Sequence, residues 1–170
     1  MDFPLIGTAI ELRPFTLDDV AAAHEVYSDP RVMRYVGHGP VGTVAGTESI
    51  IRQFMAHQQA HGFGFWAVVD RASGTLIGDA GLARAASGEI EMGYTLGTAW
   101  WGRGLATEAA GLCVAAARGP LRIPRLRALV EAPNGASQRV LTKLGFTLSG
   151  TAMAFGREHL VYRLELSEIR

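Results

Sequence analysis

Residues 64–96 carry three successive runs of alternating residues joined by two short turns, and an alanine-rich helical pattern follows soon after. In residues 64–70, Phe65, Ala67 and Val69 fall on one side and Trp66 and Val68 on the other. Arg71-Ala72-Ser73-Gly74 reads as a hairpin turn, residues 75–83 return, and Ser87-Gly88 turns again into residues 89–96. There Ile90, Met92, Tyr94 and Leu96 share a face. An antiparallel meander of this kind must cover its apolar surface, and the flanking segments supply helices to do so.

Upstream, residues 9–14 alternate like a strand with one covered face. Thr16 caps a helix with Asp18 and Asp19 in its first turn, and Asp29-Pro30 stops it. A second helix is expected over residues 44–60, burying Ile50, Ile51, Phe54 and Met55. Downstream come a helix over 105–118, an apolar strand over 126–131, and a helix opened by Pro133-Asn134 and closed by Gly145. A strand from Phe146, a turn near Phe155-Gly156 and a last strand over 159–166 complete the chain. The order β-α-α-β-β-β-α-β-α-β-β predicts an α/β fold around one sheet, in a single domain spanning residues 1–170.

Composition narrows the function. The chain has 16 basic and 16 acidic residues, which argues against a broad nucleic-acid-binding face. A single cysteine, Cys113, excludes a disulfide framework and a cysteine-based zinc cluster; it sits in the alanine-rich helix as a core residue. His57 and His61 are four residues apart on a helix and read as a surface pair, so no metal is expected. There is no signal-peptide pattern and no apolar run of about 18 residues, so a soluble cytoplasmic protein without membrane contact is expected.

The chemistry concentrates in Trp100-Trp101-Gly102-Arg103-Gly104-Leu105-Ala106-Thr107. A turn poor in side chains that feeds a helix leaves backbone N–H groups free at the positive end of the helix dipole, a seat for phosphate. It is not a dinucleotide fingerprint: Thr107 stands where a third glycine or alanine belongs, and no acidic residue follows at the required distance. No P-loop pattern is present.

Three features together resemble the GCN5-related N-acetyltransferases, and within them the ribosomal-protein N-terminal acetyltransferase-like (RimJ/RimL-type) branch. They are the glycine turn after the fourth strand, Asn134-Gly135-Ala136-Ser137 with Lys143-Leu144-Gly145-Phe146 further on, and Leu12-Arg13-Pro14-Phe15 near the start. The resemblance implies a mixed, mostly antiparallel, twisted sheet of about seven strands, splayed between the fourth and fifth, with about four helices on both faces. It implies acetyl-CoA as co-substrate and an amine acceptor, either a protein N-terminus or a small molecule, in a monomer or homodimer; a catalytically weak acyl-CoA-binding regulatory module is the alternative. The pyrophosphate would rest on Trp101, Gly102, Arg103, Gly104, Leu105, Ala106 and Thr107, and the pantetheine would pair with Tyr94, Thr95 and Leu96. Arg103 would stand beside the phosphates or face solvent. Asn134 would bond the pantetheine or cap its helix. Arg139 and Lys143 would approach the adenosine phosphates or lie on a solvated face.

Trp101 replaces the Gln or Arg that often opens the phosphate turn in the superfamily, as is usual in the RimJ/RimL-type branch. Leu141 occupies the position where many members keep a tyrosine that protonates the leaving thiolate; in this branch the resemblance assigns that role to Ser137. The attacking amine must be neutral. At pH 7 that costs about 1.4 kcal/mol for an α-amine and about 4.6 for a lysine, so a general base matters most for lysine. Glu91 is the candidate base, with an ion-pair role as the alternative; Glu89 shares its parity but lies further from the turn. A backbone N–H near Thr95 would serve the developing oxyanion. Glu158, His159 and the glycine-rich loop over residues 33–43 are candidates for the acceptor side.

Overall fold

The computed structural model describes residues 1–167. Eight strands form one sheet in the order β1-β2-β3-β4-β5-β6-β8-β7. They are β1 (Leu5–Ile6), β2 (Ile10–Pro14), β3 (Phe65–Asp70), β4 (Leu76–Arg84), β5 (Ile90–Leu96), β6 (Arg125–Val130), β7 (Thr147–Ala154) and β8 (Arg157–Glu165). The helices are α1 (Val20–Tyr27), α2 (Pro30–Met33), α3 (Val44–His61), α4 (Leu105–Arg118) and α5 (Gly135–Lys143). All neighbouring strands run antiparallel except β5 and β6. The fold is the expected mixed α/β sheet with helices on both faces.

The differences from the sequence reading are local. The additional strand β1 has two residues, too few to carry a period. Pro30 ends α1 but also opens the one-turn α2, because Asp29 Oδ1 accepts from the Arg31 N–H at 2.9 Å and proline suits the first helical position. The first helical turn after Thr16 is a 3₁₀ segment, Leu17–Asp19, ahead of α1. In α3 the buried stripe runs through Thr47 and Ile51, with Phe54 and Gln58 half-buried; Met55 lies on its flank and is 37% exposed. The expectation that Met55 is buried is therefore corrected.

Two cores sandwich the sheet. On one face α4 presents Ala109, Ala110, Cys113 and Ala117, all essentially inaccessible, against Ile10, Leu12, Trp66 and Leu82. Small side chains let this helix lie close to the strands. On the other face α1 and α3 bury Ala23, Tyr27 and Ile51 on Phe15, Ala67 and Val69. Glu108, in the first turn of α4, accepts from the backbone N–H groups of Ala9 (2.8 Å) and Ile10 (3.2 Å) and so ties the helix start to β2.

The parallel pair β5–β6 is the break in the sheet. One residue pair, Glu91 with Arg127, is in register, and the strands then diverge. At this closed end Arg127 donates to Glu91 Oε2 from Nε (3.2 Å) and Nη2 (3.0 Å), and to Glu89 Oε2 from Nη1 (2.9 Å). Glu89 Oε1 accepts in turn from Arg163 on β8, which also donates to Ser149 on β7 at 2.7 Å. The Arg163 hydrogen bonds hold Glu89 below the usual carboxylate range. Replacing Arg127 with Met is expected to lower stability by about 2 kcal/mol, the scale of lost charged hydrogen bonds. Urea unfolding of the variant measures this, and no change in midpoint would remove the network from the forces closing the sheet.

Candidate functional site

Beyond Glu91, the β6-facing edge of β5 has no strand registered against it. An unpaired strand edge inside a cleft offers N–H and C=O groups to an extended ligand. β5 ends at Leu96, whose carbonyl accepts from Trp101 Nε1 at 2.8 Å, so the indole satisfies the group that the strand leaves open. Gly102 and Gly104 then take φ of +74° and +75°, a conformation that L side chains rarely adopt. A Cβ on either would meet no atom within 4 Å, so open space lies in front of the turn. α4 starts at Leu105 with no side-chain hydrogen bond at its cap. Its first N–H groups are thus available to a ligand.

A cavity of about 870 Å³ occupies this opening. Tyr94, Thr95, Leu96, Trp101, Gly102, Gly104, Leu105, Ala106, Thr107, Asn134, Ser137 and Arg139 all line it. Arg103 does not: its guanidinium carbon rests 5.0 Å from the centre of the Trp100 ring. Lys143, Arg31 and Arg34 join Arg139 on the walls, and no acidic residue lines the cavity among the described residues. Arg31 as a wall residue escaped the sequence reading, because nothing in the Pro30 segment marks which way that arginine faces.

A second cavity, of about 580 Å³, lies beside the first on the α1–α3 face. The two share Tyr35, Val36, Tyr94, Thr95, Asn134 and Ser137, and so meet at the mouth of the splay. At this junction Tyr94 Oη and Ser137 Oγ are 2.7 Å apart. Burial pushes the Tyr94 phenol up to about 12, so it stays protonated. Asn134 accepts from the Ser137 N–H at 3.2 Å, the helix-cap bond, while its side chain also faces both cavities. Leu141 is buried and lines the second cavity.

The second cavity has the opposite electrostatic character. Asp79 and Glu91 line it, and no lysine or arginine does among the described residues. Glu91 reaches the cavity while bonded to Arg127; Glu89 and Glu158 do not reach it. Asp79, 3% exposed, accepts from Tyr27 Oη, and burial raises its carboxyl to about 7. Nothing in the spacing of residues 76–84 distinguished it. His159 lines the cavity and is buried, its Nδ1 3.0 Å from the Arg157 carbonyl. The roof joins two distant segments: Arg157 Nη2 donates to the Gly37 carbonyl at 2.7 Å, and the His38 and Phe155 rings meet edge-on at 5.1 Å. His57 lies away from both cavities, near Phe63 O (2.8 Å) and the Arg84 N–H (3.0 Å).

Residues 9–147 match the family model described as the acetyltransferase (GNAT) domain. The uncharacterized N-acetyltransferase YoaA of Bacillus subtilis is 31% identical over 152 residues, covering 87% of this chain and 85% of its own length. An acetyltransferase structure from Agrobacterium tumefaciens superposes with a TM-score of 0.85 at 28% identity, over 97% of this chain and 95% of that one. The ribosomal L7/L12 alpha-N-protein acetyltransferase RimL, solved with coenzyme A, superposes with a TM-score of 0.81 at 17% identity, over 95% and 96%. No helix among the described residues is long and apolar enough to cross a membrane.

Asp79 makes stability depend on pH. The folded protein keeps its proton up to about pH 7, whereas the unfolded chain loses it near the ordinary value of 3.8. Between those values the folded state binds more protons, so stability falls as pH rises, by at most on the order of 4 kcal/mol. Asp79→Asn is expected to raise the Tm relative to wild type at about pH 8 and to change it little at about pH 4. Melting curves at the two pH values check this, and an equal effect at both would contradict it.

Proposed function

Since the chain belongs to the GNAT acetyltransferase family and is an acetyl-CoA-dependent acyltransferase, we propose that it acetylates a primary amine by direct attack. One observation carries the reading: a basic cavity and an acidic one meet at Tyr94, Thr95, Asn134 and Ser137. The first suits an anionic donor and the second a cationic acceptor, with the group exchanged where the two meet.

The residues of the basic cavity fit coenzyme A. The open N–H groups from Gly102 to Ala106 and the hydroxyl of Thr107 take the pyrophosphate, and Arg139 and Lys143 the adenosine phosphates. Arg103, stacked on Trp100, buttresses the turn. The free edge of β5 at Tyr94–Leu96 and the side chain of Asn134 hold the pantetheine. Acetyl-CoA supplies a thioester, an acyl group already activated toward amines. A backbone N–H near Thr95 stabilises charge on the carbonyl oxygen, and Ser137, held by the protonated Tyr94, delivers a proton to the departing sulfur. Trp101 and Ser137 support placement in the RimJ/RimL-type branch, and with it a protein N-terminal α-amine as acceptor; the smaller volume of the second cavity, about 580 Å³, favours a compact amine as the other acceptor class.

Thiol release from acetyl-CoA is to be followed with peptides bearing free N-termini, lysine peptides and small amines. Release above hydrolysis is expected with at least one class; none with any would leave an acyl-CoA-binding module. Ser137→Ala is expected to lower kcat by roughly 100-fold with little change in the KM for acetyl-CoA. An unchanged kcat would remove the hydroxyl from the reaction.

Gly104→Asp is expected to weaken coenzyme A binding at least tenfold more than Gly104→Asn, since asparagine tolerates positive φ and brings no charge. Calorimetric titration compares the two, and equal affinities would displace the phosphate from this turn.

A further inference from the structure

The acetyl-transfer reading leaves Asp79 without a task, and its setting is unusual. The carboxyl group is buried on the wall of the acidic cavity, and among the described residues its one hydrogen-bond donor is the Tyr27 phenol. Burying a charged carboxylate with one neutral donor is costly unless a cation or a proton joins it. Burial holds the Tyr27 phenol well above its ordinary value, so that group donates a hydrogen bond without giving up its proton. Glu91, the other carboxylate in the cavity, already has the Arg127 guanidinium.

Asp79 on β4 is in register with Thr95 on β5, and paired residues of adjacent strands project to the same face. Asp79 therefore stands one strand away from the junction where the donor and acceptor cavities meet. Around it α1 contributes Tyr27, β3 contributes Ala67 and β5 contributes Thr95. On α4 the nearby group is the Cys113 thiol, which burial keeps protonated. Glu91, His38 and His159 share the cavity.

We propose that Asp79 receives the acceptor's ammonium group and takes its proton, which makes it a catalytic residue of the acetyl transfer. The proposal rests on the acetyl-transfer reading. In the balanced step, the ammonium gives one proton to the Asp79 carboxylate. The nitrogen then bonds to the acetyl carbon as the C–S bond breaks, and its second proton goes to the departing thiolate through Ser137. Asp79 returns its proton to solvent as the amide leaves. A carboxyl that titrates near neutrality suits this work at physiological pH.

The test is the pH dependence of kcat/KM for an accepted amine in wild type and Asp79→Asn, with circular dichroism to confirm the fold. Wild type is expected to give a bell: activity rises as Asp79 ionises and falls as the free amine loses its proton. Asp79→Asn is expected to lose about 100-fold in kcat, to keep its KM for acetyl-CoA, and to follow only a rising limb at the amine's own pKa. The same bell in both proteins would overturn the proposal. A second measurement needs no turnover. In the coenzyme A complex there is no acetyl group to attack, so the ammonium keeps its proton and pairs with the Asp79 carboxylate; infrared difference spectra below neutral pH should then show the Asp79 carboxylic-acid band discharged by phenethylamine and absent from Asp79→Asn. A band that the amine leaves unmoved would also overturn the proposal. If wild type acetylates no amine, the reaction assignment fails, and the infrared result still decides what Asp79 binds.

Discussion

A single guanidinium, that of Arg127, closes the sheet at the place where its two halves meet. β5 and β6 pair through one residue each, so backbone hydrogen bonding alone contributes little there. The chain of charge from Glu91 through Arg127 and Glu89 to Arg163 spans β5, β6 and β8 and reaches Ser149 on β7. Fastening at one end lets the other end open. The width at the mouth then belongs to the ligand-facing side chains, and the free edge of β5 is a by-product of strands that are joined without being zipped.

The two cavities inherit their opposite polarity from this architecture. The first cavity is framed by helix beginnings, α4 and α5, and by arginines at the α2 end; backbone dipoles and side-chain cations add there. The second is framed by strand faces and α1, where the polar groups are side chains held by other side chains: Tyr27 with Asp79, Arg127 with Glu91. A polyanion and an ammonium would each be favoured by one set of walls and repelled by the other.

The turn and the helix starts that line the first cavity are legible in the sequence because their signals are local. Gly102 and Gly104 bracket a turn, alanines announce a close-packed helix, and Asn134 marks a helix start; each is read within a few residues. The meander and its parity were equally plain, since period-two alternation is a local property. The second cavity is assembled from residues far apart in the chain. Asp79 looks like any polar residue in a strand until α1 brings Tyr27 against it, 52 positions away. Tyr94 was read as a strand residue beside the pantetheine; its hydroxyl gains a role only when α5 sets Ser137 within reach. Met55 and β1 escaped for a plainer reason: a helix contact stripe is narrower than its apolar pattern, and two residues carry no pattern.

The roof of the second cavity has a consequence for how the protein is made. The bond from Arg157 to the Gly37 carbonyl joins residues 120 positions apart, and the hairpin of β7 and β8 is synthesised after every residue that lines the first cavity. Phe155 and His159 of that hairpin also line the second cavity. The two linings are therefore completed in order along the chain, the first by Lys143 and the second only by His159.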